Sequence, residues 1–81
     1  MEYYIVYGWS DCPFCDSAVE LLQNTNERHM VVNLDHDDIL LEYFKKTYDW
    51  PTVPIIIKKQ SDESTTTLIG GYTDLCKYLE K

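Results

Sequence analysis

The stretch YGWSDCPFCDS, residues 7–17, sets two cysteines two residues apart, with Asp11 and Asp16 just outside them. Such a pair could be a structural disulfide, half of a metal site or a redox couple. Redox chemistry needs a thiolate, and negative charge beside a sulfur opposes one. Something must offset the acidic frame if Cys12 or Cys15 is to act as a nucleophile.

The local pattern supplies that offset. Pro13 suits the first position of a helix, where its missing N–H costs nothing and its fixed φ fits the turn. Cys12 then falls at the N-cap, with the unpaired N–H groups of Phe14 and Cys15 directed at its sulfur. Those donors and the positive end of the helix stabilise a thiolate. Cys15, one turn in, is within disulfide reach but more covered. The expected arrangement is an exposed, activated Cys12 with the second sulfur behind it.

The competing chemistries fit less well. Cys12, Cys15, His29 and His36 form C-x2-C followed by two histidines, but six residues separate the histidines, against the usual three to five in a zinc site. The first helix also leads away from the cysteine pair, so no metal is expected and the histidines read as exposed strand-end residues. Cys76 reads as a small, partly buried residue of the last helix.

The elements that position this pair follow from periodicity. Glu2 to Tyr7, ending at Gly8, is β-branched and aromatic, which predicts a strand. From Pro13 the spacing turns helical, with Ala18, Val19, Leu21 and Leu22 on one face, fading at Asn24-Thr25-Asn26. His29 to Leu34 predicts a second strand. In DHDDILLEYFKKTYDW, Ile39, Leu40, Tyr43 and Phe44 are expected to form the buried face of a second helix, with acids early and lysines late as the helix dipole prefers. VPIIIKK and TTTLIG predict two further strands joined by a polar turn, Gln60-Ser61-Asp62-Glu63. After Gly70-Gly71 comes a short helix, with Thr73 as the expected N-cap and Leu75, Tyr78 and Leu79 facing inward.

The predicted order is β-α-β-α-β-β-α, an α/β fold with one four-stranded mixed sheet flanked by helices, in a single domain over residues 1–81. Strands one and two should pair in parallel across a right-handed crossover. A net charge of −7 disfavours phosphate-backbone binding, so nucleic acid is not an expected partner. No apolar run is long enough to span a bilayer, and the first residues lack the pattern of a signal peptide. The expected compartment is the cytoplasm, where three cysteines do not read as a disulfide framework. A C-x-x-C near a βαβ pattern is, there, a thioredoxin-like redox signal.

With the pair on a strand-to-helix junction, the whole chain resembles the dithiol glutaredoxins of the thioredoxin-fold superfamily, in their minimal form. CPFC is similar to the family's C-P-[YF]-C site, Thr52-Val53-Pro54 to its cis-proline motif, and Gly70 to Leu75, GGYTDL, to its glutathione-binding turn. The resemblance implies a glutathione-dependent thiol-disulfide oxidoreductase, with glutathione as co-substrate and no bound cofactor. Cys12 would be the nucleophile and Cys15 the resolving thiol, the two forming the redox-active disulfide. Phe14, Thr52, Val53, Pro54, Gly71, Tyr72, Thr73 and Asp74 would bind glutathione. Among them, Val53 would align the glutathione cysteine beside cis-Pro54, and Thr73 and Asp74 would hold the γ-glutamyl end. Implied partners are glutathione and protein disulfides, with ribonucleotide reductase a client by family analogy, and the chain is expected to be a monomer. The alternatives are reduction by thioredoxin reductase, against which GGYTDL argues, and a glutathione-ligated iron–sulfur carrier, against which Pro13 and Cys15 argue.

Two positions depart from the family. Trp9 and Pro51 stand where a basic residue is usual, so the helix terminus is left as the main stabiliser of the thiolate. Trp9 would either cover bound peptide or pack on the domain.

Overall fold

The computed structural model describes residues 2–61 and 65–80. Its elements run β1 (Glu2–Gly8), α1 (Pro13–Asn24), β2 (His29–Asn33), α2 (Asp38–Thr47), β3 (Ile55–Gln60), β4 (Thr66–Gly70) and α3 (Tyr72–Leu79). The predicted order is therefore observed. The strands form one mixed sheet in the order β2-β1-β3-β4. β1 pairs in parallel with β2, from Tyr4 opposite His29 to Gly8 opposite Asn33, and antiparallel with β3, which pairs antiparallel with β4. In the proposed β3–β4 turn, Asp62 and Glu63 lie outside the described residues.

Alternation along the central strands divides the core between the two faces of the sheet. Tyr4, Val6 and Ile56 point to one face, where Ala18 and Leu22 of α1 and Leu75 of α3 cover them. Ile5, Tyr7, Ile55 and Ile57 point to the other, where Leu34 and Leu41 are buried with them. β1 and β3 are apolar on both sides because helices cover both sides. Burial also pushes the Tyr7 hydroxyl up to about 12.

α2 corrects one expectation. Leu41 is its buried residue, while Ile39 is 86% exposed and Tyr43 59% exposed. The face that docks on the sheet is set by Leu41, Phe44 and Tyr48, spaced three and four residues apart. Phe44 stacks on Tyr7 with ring centroids 4.1 Å apart. Ile39 and Tyr43 lie two residues either side of Leu41, which on a helix turns them away from it.

α1 and α2 end alike. At α1, the Asn26 N–H donates to Gln23 O (3.1 Å) and Glu27 N–H to Leu22 O (2.9 Å), with Asn26 at φ 56°. At α2, the Asp49 N–H donates to Lys46 O (3.3 Å) and Trp50 N–H to Lys45 O (2.9 Å), with Asp49 at φ 52°. Both are Schellman motifs, which satisfy the last carbonyls and turn the chain sharply. The second of them delivers Trp50 to the loop ahead of Pro54.

α3 holds a further correction. Its N-cap is Gly71, not Thr73, which lies inside the first turn. Asp74, at the third helical position, reaches back to accept the Gly71 N–H at 3.0 Å, and that contact places the cap earlier.

Candidate redox site

The cysteine pair sits where β1 hands over to α1. Cys12 is the N-cap, with extended backbone (φ −146°, ψ 100°), and Pro13 is the first helical residue. The Cys15 N–H donates to Cys12 Sγ at 3.2 Å, and the Asp16 N–H donates to Cys12 O at 3.0 Å. The sulfur therefore takes the place of the usual hydroxyl or carboxylate cap, as the sequence pattern predicts.

The two sulfurs are joined as a disulfide, with Cα atoms 5.2 Å apart. The expected exposed Cys12 is not observed: with the disulfide closed, Cys12 is 8% exposed and Cys15 5%, both buried.

Gly8 makes room for this arrangement. A Cβ at Gly8 would lie 2.4 Å from Cys15 Sγ and 3.2 Å from Cys15 Cβ. Only a residue without a side chain lets α1 start this close to β1. From the sequence alone, Gly8 marks only the end of the strand.

The loop ahead of Cys12 is tethered to the loop after β2. The Ser10 N–H donates to Asp35 Oδ1 at 2.8 Å, and the Ser10 hydroxyl donates to Asp35 Oδ2. These hydrogen bonds, the hydroxyl's first, hold the Asp35 carboxyl below its ordinary range. Trp9, in the same loop, is exposed and is not among the residues lining the groove described next.

Beside the helix start lies a groove of about 220 Å³ lined by Phe14, Trp50, Thr52, Val53, Pro54, Gly71, Tyr72, Thr73 and Asp74. It brings together all eight residues proposed to bind glutathione, from three separate parts of the chain. The Val53–Pro54 peptide is cis. Phe14, 62% exposed, faces Tyr72 across the groove with ring centroids 6.3 Å apart. Interaction with the Cys76 side chain pushes the pKa of the Tyr72 hydroxyl up, although Cys76 stands outside the redox pair.

Trp50 completes the lining and was not anticipated. Its indole N–H is buried without a hydrogen-bond partner among the described residues, an unmet donor behind the groove wall. The signal for it is weak: a lone tryptophan two residues before Thr52, closing the stretch DHDDILLEYFKKTYDW.

The glutaredoxin family model matches residues 4–61, so the chain belongs to the glutaredoxin family, whose members are thiol oxidoreductases. No curated protein sequence matches it. Among solved structures, a buckwheat glutaredoxin–glutathione complex superposes with a TM-score of 0.77 at 17% identity, covering 98% of this chain and 69% of that one. Reduced poplar apo GrxS14 follows with a TM-score of 0.73 at 18% identity, covering 98% and 72%. Glutaredoxin 1 from Francisella tularensis, complexed with cacodylate, gives 0.57 at 21% identity over 100% of both chains. At these identities the likeness is one of fold, and the fold is the thioredoxin fold.

Proposed function

We propose that this member of the glutaredoxin family uses glutathione to reduce protein disulfides and glutathione mixed disulfides. The observation that carries the reading is the sulfur-capped start of α1 beside the groove that gathers Phe14, Val53, Pro54 and residues 71–74. A groove with a cis-proline on one wall and a helix N-terminus on another suits an extended peptide with an anionic end. The solved buckwheat complex contains glutathione on the same fold, which supports the ligand.

In the proposed cycle, the Cys12 thiolate attacks one sulfur of a substrate disulfide. A mixed disulfide forms, and the other sulfur leaves as a thiolate that takes up a proton. The Cys15 thiolate then attacks the Cys12 sulfur and releases the second substrate thiol, leaving Cys12–Cys15 oxidised. One glutathione thiolate opens that bond and forms a mixed disulfide on Cys12. A second attacks the glutathione sulfur, so oxidised glutathione leaves and the Cys12 thiolate returns. Two electrons pass from two glutathiones to one substrate disulfide.

Val53 and Pro54 would align the glutathione cysteine, Thr52, Gly71 and Tyr72 would complete the walls, and Thr73 and Asp74 would take the γ-glutamyl end. One Asp74 oxygen already accepts the Gly71 N–H, and the other is the proposed acceptor for the ammonium. The proposed setting is a monomer in the reducing cytoplasm, with ribonucleotide reductase among its clients on family analogy.

The test is turnover with glutathione on a small mixed disulfide. Cys12→Ser should abolish it. Cys15→Ser should retain it while losing efficient reduction of protein disulfides. Equal loss in both variants would overturn the assigned roles.

A further inference from the structure

We propose that the outer stripe of α2, Ile39 and Tyr43 running to Trp50, docks the polypeptide segment next to the disulfide of a protein client. The segment it fits is apolar and carries lysine or arginine. This rests on the disulfide reductase reading above.

The stripe is continuous with the redox groove. Ile39 and Tyr43, both largely exposed, flank a hollow of about 490 Å³ shared with Asp38, Glu42 and Lys46. Glu42 and Lys46 also line a second hollow of about 450 Å³, whose wall at the other end is Trp50. Trp50 in turn lines the groove beside the cysteines. A client whose disulfide enters the groove thus has a path along α2 for the chain that follows. Lys46 and Ile39 are seven residues apart, about 10 Å along a helix, which about three residues of extended chain would cover.

Charge selects the partner. At the far end of the path, Asp38 and Glu42 flank the two apolar side chains, and the protein carries a net charge of −7. Lys45 stands 3.9 Å from Glu42 and Lys46 lines the same hollow, so among the described residues the acidity in excess lies at Asp37 and Asp38, just before Ile39. A basic residue set beside an apolar one, past the middle of the path, meets both features.

A second copy of the chain fits less well. A stable interface takes about 800 Å² from each partner, and one aromatic side chain supplies about 150–250 Å². Tyr43 and Trp50, the aromatics of the stripe, with Ile39 make a transient contact, which an enzyme that must release its product requires.

Three substrates separate the outcomes: cysteine–glutathione mixed disulfide, and a disulfide-closed peptide with a tail of either leucine and two arginines or leucine and two aspartates. The native enzyme should reduce the arginine-tailed peptide at least about tenfold better, as kcat/KM, than the aspartate-tailed one, and added salt should narrow the gap. The double variant Ile39→Ser, Tyr43→Ser should lose about tenfold on the arginine-tailed peptide and stay within about twofold on the small mixed disulfide. Equal rates on both tails, or a parallel loss on the small substrate, overturn the proposal. So does a concentration-dependent dimer in sedimentation that the double variant abolishes. A cysteine-free arginine tail, titrated into the native protein, should shift NMR amide signals of residues 38–50; shifts elsewhere or none also overturn it. That titration decides the docking surface even if the small mixed disulfide is not turned over, a result that would overturn the reductase reading instead.

Discussion

The starts of α1 and α2 share one geometry and differ in the atom that closes it. At α2 the Asp37 carboxylate accepts the Leu40 N–H at 2.9 Å; at α1 the Cys12 sulfur accepts the Cys15 N–H at 3.2 Å. Oxygen caps of the first kind are strong acceptors that stabilise a helix, whereas sulfur is a weak one. At α1 the chain thus gives up part of a cap so that a sulfur stands among unpaired donors at the positive end of a helix. The strength is made up elsewhere: Pro13 pre-sets the first turn, the Schellman motif closes the last, and Ala18 and Leu22 are fully buried. One helix start serves stability and the other serves chemistry.

Replacing Cys12 by serine sharpens that contrast most. Activity should vanish, yet the reduced variant should be as stable as the reduced native protein or more so, because serine is a better N-cap. Urea midpoints of both reduced proteins check this, and a clear loss of stability would break the comparison.

Gly8→Ala comes next in size. The new Cβ would press on Cys15, and overpacking of this kind costs about 1–3 kcal/mol. Closure of the Cys12–Cys15 disulfide should slow as well, measured by the rate at which an oxidised substrate is resolved. No change in either would mean that α1 can shift away from β1 freely.

Asp37→Ala should cost about 1 kcal/mol in urea unfolding while leaving turnover of the small mixed disulfide within about twofold. A large fall in activity would show that the cap of α2 also holds the groove.

The smallest effect is electrostatic. The Cys12 thiolate should titrate below the free value of about 8.5, and Asp11→Asn should lower it further by less than about one unit, since Asp11 is exposed and screened. The pH dependence of alkylation measures both. An unchanged titration would mean that the Asp11 carboxylate points away from the sulfur and that the helix terminus alone sets its acidity.

Much of the site was legible because it is local. Pro13 after Cys12 marks a helix start, and a helix start defines which N–H groups face the sulfur. Alternation in Tyr4-Ile5-Val6-Tyr7 marks a strand buried on both sides. Features that depend on two distant segments were not legible. Gly8 matters only because Cys15 comes back against it, and Trp50 matters only because the end of α2 turns it towards the wall that α3 completes.

By itself, then, the sequence determined the order of elements, the cap at Cys12 and the three short motifs whose residues meet in the groove. These follow from backbone preferences and spacing within a few residues. Tertiary structure decided which side of α2 faces the sheet, since Ile39 is as apolar as Leu41 and Tyr43 is aromatic like Phe44. The Tyr7 ring, brought in from β1, stacks on Phe44 and selects one face. It also decided the start of α3, where Thr73 looks the better cap by residue type. Asp74 accepts the Gly71 N–H, and Gly70, at φ 118°, takes a backbone shape open to glycine, with Asp74 Oδ2 only 2.7 Å from where a Cβ would stand.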